Sequence, residues 1–122
     1  MAKNMEIPLL YDFYGDMLTD KQRDMIEQYY QHDLSLSEIA ENAGISRQGV
    51  RDSIKRAEIQ LFDMEERLGL AARMKTVSSC LDSISQYSNA IREKADAVGC
   101  SEIGDDVNHL TLLVEHLRQT IV

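Results

Sequence analysis

The stretch from residue 35 to residue 55 constrains the fold more than any other part of this sequence. Ser35-x-x-Glu38 is a capping box, which predicts the start of a helix, and Gly44 ends that helix after about two turns. Ser46 then caps the next helix at once. Two helices joined by so short a turn, with small and apolar residues at their crossing, are typical of a helix-turn-helix.

The core of this motif is expected to contain six residues. A small residue lets the second helix cross closely, a glycine supplies the positive φ of the turn, and four branched apolar side chains hold the helices at a fixed angle. The motif predicts the fold strongly and DNA binding less strongly, because helix-turn-helix units also dock proteins. The six residues are Ile39, Ala40, Gly44, Ile45, Val50 and Ile54.

The whole chain is predicted to be all-α. A second capping box, Thr19-x-x-Gln22, opens a helix before the motif, and with a single proline and six glycines little interrupts longer helices. The helix that Ser46 caps is expected to run to Gly69. We therefore expect a helix-turn-helix domain over residues 1–70 and a C-terminal helical hairpin over 71–122, with its connection bracketed by Gly99 and Gly104.

Both predicted helices of the hairpin carry apolar residues at steps of three and four. A lone hairpin cannot cover both stripes, so it is expected to pack on the preceding long helix, on a second subunit, or on both. A homodimer formed through this region is favoured over a monomer, because helix-turn-helix proteins commonly read two half-sites together. The stripes consist of Val77, Leu81, Ile84, Ser88, Ile91, Ala95 and Val98, then Ile103, Val107, Leu110, Val114, Leu117 and Ile121.

The charge distribution points to one candidate nucleic-acid surface. The net charge of −8 argues against nucleic acid as a partner, since phosphate neutralisation usually supplies much of the affinity. Residues 46–59, however, hold four basic and two acidic residues. A glutamine at a recognition-helix start can bond adenine at two points, and a glycine there allows close approach to a partner. The candidate DNA-binding residues are Ser46, Arg47, Gln48, Arg51, Lys55 and Arg56.

Two other interpretations stay open for the same residues. The basic residues can be a solvated helix face whose charges pair with the chain's own carboxylates. Alternatively, the acidic surface can dock a basic protein or a ribonucleoprotein, with the helix-turn-helix serving as a scaffold.

Catalysis, cofactors and metals are not expected. The chain has no nucleophile with a matched base, no phosphate-binding loop, and no Cys-x-x-Cys or His-x-x-x-His spacing. No segment has the length of a membrane span, and residues 1–6 lack the apolar stretch of a secretory signal. Cys80 and Cys100 are therefore expected to be reduced, in a cytoplasmic protein without membrane partners.

The first 70 or so residues resemble a known group of proteins. They are similar to region 4 of bacterial sigma factors and, more closely, to the YlxM or p13-like (UPF0122) family of helix-turn-helix proteins. The resemblance implies a bacterial cytoplasmic regulator with a part in the signal recognition particle pathway, and so particle components as partners. A sigma factor proper would need a longer chain. The matching segments are Leu18-Thr19-Asp20-Lys21-Gln22, Tyr29-Tyr30, Leu36-Ser37-Glu38-Ile39-Ala40-Glu41, Ser46-Arg47-Gln48 and Ile54-Lys55-Arg56.

Overall fold

The structure, a computed structural model, describes residues 1–121 and contains helices but no strand within them, so the all-α prediction is confirmed. None of these helices is long and apolar enough to cross a bilayer. A 3-10 turn, Gly15–Met17, follows the first helix, and a π turn, Glu27–Gln31, extends the second. The helices are α1, Ile7–Tyr14; α2, Asp20–Ile26; α3, Leu36–Ala43; α4, Arg47–Leu68; α5, Leu70–Val98; and α6, Ser101–Ile121.

The chain divides into two compact units, Met1–Ala71 and Ala72–Val122. In the first unit, α1, α2 and α3 all pack against α4, which is the central helix. One line of α4 is completely buried there, because its apolar residues recur at steps of three and four. The fully buried residues of that line are Val50, Ile54, Ala57 and Leu61.

Both predicted capping boxes are present. The Thr19 hydroxyl accepts a hydrogen bond from the backbone amide of Gln22 at 3.2 Å. The Ser35 hydroxyl accepts one from the backbone amide of Glu38 at 3.1 Å. In each box the longer side chain returns a bond to the capping residue's own amide. These local bonds satisfy amides that a helix start leaves open, and so they fix where α2 and α3 begin.

The second unit is a hairpin of α5 and α6. The connection is shorter than predicted: Gly99, at φ +68°, ends α5, and α6 already begins at Ser101. Gly104 therefore lies inside α6 and does not bracket the connection. One glycine inside a helix costs about 1 kcal/mol, which a helix of this length can offset by its packing.

Candidate nucleic-acid interface

The turn between α3 and α4 holds the two helices in a fixed corner. Gly44 adopts a left-handed conformation, φ +68° and ψ +30°. The backbone amide of Ile45 donates a hydrogen bond to the Ala40 carbonyl at 3.2 Å. This arrangement satisfies the Ala40 carbonyl, which the end of α3 would otherwise leave open. Of the six predicted core residues, Ile39, Ala40, Val50 and Ile54 are buried, Ile45 is half-buried against the same core, and Gly44 forms the exposed turn.

Ser46 and Gly49 together shape the start of α4. The Ser46 hydroxyl accepts a hydrogen bond from the Gly49 amide at 3.0 Å, so the serine acts as the helix cap. A Cβ atom at position 49 would lie 3.2 Å from that hydroxyl oxygen and 3.5 Å from the Cδ1 of Ile45. The crowding inside the turn gives a reason for the glycine that requires no partner.

Three cations follow one another along an exposed side of α4, and we call them the cationic ridge: Arg47, Arg51 and Lys55. They occur at steps of four, each of which turns about 40° around the helix, so Arg47 lies close to the line of Ile54 at the helix start and Lys55 lies farthest from it. Within residues 1–121, no carboxylate oxygen lies within 4.0 Å of a ridge nitrogen. The ridge is therefore not neutralised by direct ion pairs with the chain's own described acids.

The remaining predicted contacts do not all join the ridge. Helix geometry turns about 100° per residue, which places Arg56 on the far flank of the outward face, away from Arg51. Between them, the Gln48 side-chain amide donates a hydrogen bond to the Asp52 carboxylate at 2.9 Å. The outward face of α4 thus has cations on both flanks and a paired amide and carboxylate in the middle.

The structure also brings the start of the chain to this helix, a contact that the sequence did not predict. The backbone amide of Asn4 donates a hydrogen bond to the Tyr30 hydroxyl at 3.1 Å, and that hydroxyl donates one to the Glu58 carboxylate at 2.6 Å. Burial, together with the bond to Glu58, raises the pKa of Tyr30. A cleft of about 420 Å³ is lined by Met1, Ala2, Asn4, Arg51, Lys55, Glu58, Ile59 and Phe62.

Lys3 fastens this N-terminal segment to the end of the π turn. Its ammonium group lies 4.8 Å from the centre of the Tyr29 ring and forms an ion pair with Asp33. The hydrogen bond from Lys3 holds the pKa of the Asp33 carboxyl below its usual value. The Tyr29 hydroxyl donates to the Met1 carbonyl at 3.1 Å. These contacts join residues far apart in sequence, so neither spacing nor composition signals them.

Comparison with known proteins places the chain among bacterial relatives. The family model described as "Putative helix-turn-helix protein, YlxM / p13 like" matches residues 1–99, well beyond the first 70 residues that carried the sequence resemblance. A UPF0122 protein of Thermoanaerobacter sp. (strain X514) is 54% identical over 86 residues, covering 70% of this chain and 74% of the relative. A UPF0122 protein of Limosilactobacillus reuteri (strain DSM 20016) is 43% identical over 116 residues, covering 94% of this chain and 97% of the relative. The chain belongs to the YlxM / p13-like (UPF0122) family of helix-turn-helix proteins.

Proposed function

We propose that this protein is a cytoplasmic, non-enzymatic regulator that binds double-stranded DNA as a homodimer, with the cationic ridge contacting phosphates. The single observation that carries the proposal is the exposure of Arg47, Arg51 and Lys55 on the second helix of a helix-turn-helix, with no described carboxylate in ion-pair range. In this class of motif the second helix enters the major groove by its N-terminal residues. The ridge begins at that end of α4.

Each predicted contact residue has a distinct role in this proposal. The ridge cations neutralise phosphates and set the position of the helix, whereas Gln48 reads a base edge, adenine being the base that a glutamine bonds at two points. Ser46 acts indirectly, because its hydroxyl holds the start of α4. Arg56 contacts the backbone on the opposite flank of the groove from the ridge.

Two copies are needed because one copy offers few phosphate contacts. Three ridge cations belong to a chain of net charge −8, so the attraction of a single helix is opposed by the repulsion of the body. Two copies on one duplex double the number of released counterions. We therefore propose that binding is modest and depends steeply on salt.

The test is fluorescence anisotropy of the full chain with a random-sequence DNA duplex at about 50 and 200 mM salt. The six ridge cations of two copies alone should make affinity fall about 10³-fold between these concentrations, and contacts from Arg56 should steepen the fall. Arg51→Ala should weaken binding at low salt and reduce the salt dependence. Arg73→Ala is the matched control, because it removes the same charge from an exposed position on α5 and should change binding little. No measurable binding at low salt would overturn the proposal.

A second candidate function is docking to a basic protein or a ribonucleoprotein, such as the signal recognition particle. The observation that favours it is a run of exposed carboxylates, spaced four residues apart in the sequence through α1, the 3-10 turn and α2, namely Asp12, Asp16, Asp20 and Asp24. Under this alternative, Arg51→Ala leaves partner binding intact, whereas Asp12→Lys with Asp24→Lys weakens it. Under the DNA proposal, the same charge reversals leave duplex binding intact or strengthen it.

A further inference from the structure

The α5/α6 hairpin covers only half of each apolar stripe. Three α5 residues at steps of seven are buried, and two α6 residues at the same step are buried. The apolar residues beside them stay open: Ile84, Ile91, Ile103, Leu110 and Leu117 each expose between 41 and 48% of their surface, and Val98 exposes more. The buried residues are Leu81, Ser88, Ala95, Val107 and Val114.

On each helix the buried residues form a line along the helix axis, and helix geometry places the residues beside that line on one of its two sides. With about 100° per residue, a residue three positions after a buried one lies on one side of the line, and a residue four positions after it lies on the other. Ile91 therefore lies on one side of the line through Ser88, and Arg92 lies on the opposite side. The same rule separates Leu110 from Thr111, relative to Val107.

Hydrogen bonds show which of these sides meet. Arg92 donates to the Thr111 hydroxyl at 3.4 Å and to the side-chain Oδ1 of Asn108 at 2.8 Å, and Arg118 donates to the Asp82 carboxylate at 2.7 Å. The polar sides of the two helices therefore share one face of the hairpin, so their open apolar sides share the opposite face. We call this opposite face the apolar face; it consists of Ile84, Ile91, Val98, Ile103, Leu110 and Leu117.

The apolar face is arranged in matched levels. The bonds between Arg92 and Asn108 and between Asp82 and Arg118 each join residues whose numbers sum to 200. By that register, Ile91 and Leu110 share a level in the middle of the face, with Ile84 and Leu117 on one side of it and Val98 and Ile103 on the other. Two flat helical faces with heptad spacing are the surfaces that pack together in a four-helix bundle.

Charge indicates which partner fits this face. The half of the hairpin near the loop, residues 91–110, has five acidic and two basic residues, a net charge of −3. The open half, residues 72–90 and 111–121, has three basic and two acidic residues, a net charge of +1. A second copy turned end for end places each acidic half against the other copy's basic half, whereas a side-by-side copy places acid against acid.

We infer that the apolar face binds the same face of a second copy, with the two hairpins antiparallel and a two-fold axis at the level of Ile91 and Leu110. The interface is isologous, so each residue on the axis meets its own counterpart. Residues Ile84 and Leu117 of one copy then pack near Val98 and Ile103 of the other. The inference deepens the homodimer of the proposed function, and it can be tested without DNA, so a failure of DNA binding leaves it standing.

The first test is sedimentation equilibrium of the full chain in the absence of DNA. The wild type should have twice the chain mass of 13.9 kDa. Leu110→Glu places two carboxylates at the axis and should give a monomer with unchanged helix content by circular dichroism. Leu112→Glu is the matched control: Leu112 is 67% exposed and, five residues after Val107, lies away from the apolar face, so that variant should stay dimeric. A monomeric wild type, or a monomeric Leu112→Glu beside a dimeric Leu110→Glu, would overturn the inference.

The second test concerns the antiparallel arrangement and does not depend on a disruptive substitution. In a chain with Cys80→Ser and Cys100→Ser, Ile91→Cys should form a disulfide-linked dimer under mild oxidation, because the axis brings the two copies of position 91 together. Val98→Cys should not, since Val98 and its counterpart each lie about two helical turns from the axis, on opposite sides of it, and so about four turns apart. A dimer that persists without cross-linking at position 91 would overturn the arrangement.

Discussion

The hydroxyl of Tyr14 donates a hydrogen bond to the Glu65 carboxylate at 2.6 Å, joining residues that lie 51 positions apart. The same hydroxyl accepts from the Leu70 amide at 3.0 Å, and the carboxylate accepts from the Ala71 amide at 3.0 Å. The ring of Tyr14 is buried, and its burial and the bond to Glu65 raise its pKa. The phenol of Tyr14 thus joins α1 to the end of α4 and to the first amide of α5.

Tyr14→Phe is expected to lower the free energy of unfolding by about 1–3 kcal/mol. The substitution keeps the buried ring but leaves the Leu70 amide without its acceptor and removes one donor from Glu65. Urea denaturation followed by circular dichroism measures the change. Tyr87→Phe is the control, because Tyr87 is 72% exposed and losing its hydroxyl should change stability by less than about 0.5 kcal/mol. Equal stabilities of the two variants would contradict the role assigned to Tyr14.

The raised pKa of Tyr30 predicts that the folded protein loses stability at alkaline pH. Its pKa is raised by burial and by the bond to Glu58, so the folded protein keeps the phenol proton where the unfolded chain loses it, near pH 10. The Tyr30 contribution is therefore complete below about pH 10 and decreases as the pH rises toward the folded-state pKa. Urea denaturation between about pH 9 and 11 should show a smaller decline for Tyr30→Phe than for the wild type. Identical declines would show that Tyr30 is not the responsible group.

Replacing glycine by alanine should change the free energy of unfolding in opposite directions at Gly44 and Gly104. Gly44 has φ +68°, where an L side chain is strained, so Gly44→Ala should destabilise the protein by about 1–2 kcal/mol. Gly104 lies inside α6, and a Cβ there meets no atom of the described chain within 4 Å. Gly104→Ala should therefore stabilise the protein by about 0.5–1 kcal/mol, because alanine has less conformational freedom to lose. Urea denaturation of both variants checks the signs, and a shared sign would contradict the assignment.

The sequence predicted best the features that depend on neighbours three or four residues away. The capping boxes at Thr19 and Ser35 and the end of α4 at Gly69 follow from bonds between a side chain and the nearby backbone, so local spacing indicates them. The prediction that Gly104 brackets the connection between α5 and α6 was wrong for a related reason. A glycine is an unfavourable helix residue but does not by itself end a helix.

Features that depend on tertiary packing could not be predicted in the same way. The periodicity of α5 predicted its helix but not that Leu81 would be covered while Ile84 stays open, because that depends on how α6 is rotated against it. Nor does any pattern connect Lys3 to Asp33, or Asn4 to Tyr30. In the candidate interface, the basic spacing along α4 was visible in the sequence, whereas the nearness of the N-terminal segment was not.

Asp52 provides the sharpest prediction about the outward face of α4. Its carboxylate accepts from Gln48 at 2.9 Å and lies among the cations proposed to contact phosphates. Asp52→Asn removes one negative charge but keeps an oxygen that can accept from Gln48. A unit charge about 4 Å from another contributes about 1 kcal/mol in water, so duplex affinity at low salt should rise about fivefold, as measured by fluorescence anisotropy. Asp12→Asn makes the same charge change on α1 and should have less effect, since Asp12 lies outside the proposed interface. Weaker binding by Asp52→Asn would show instead that the carboxylate itself is needed, either to orient Gln48 or to accept a hydrogen bond from a base.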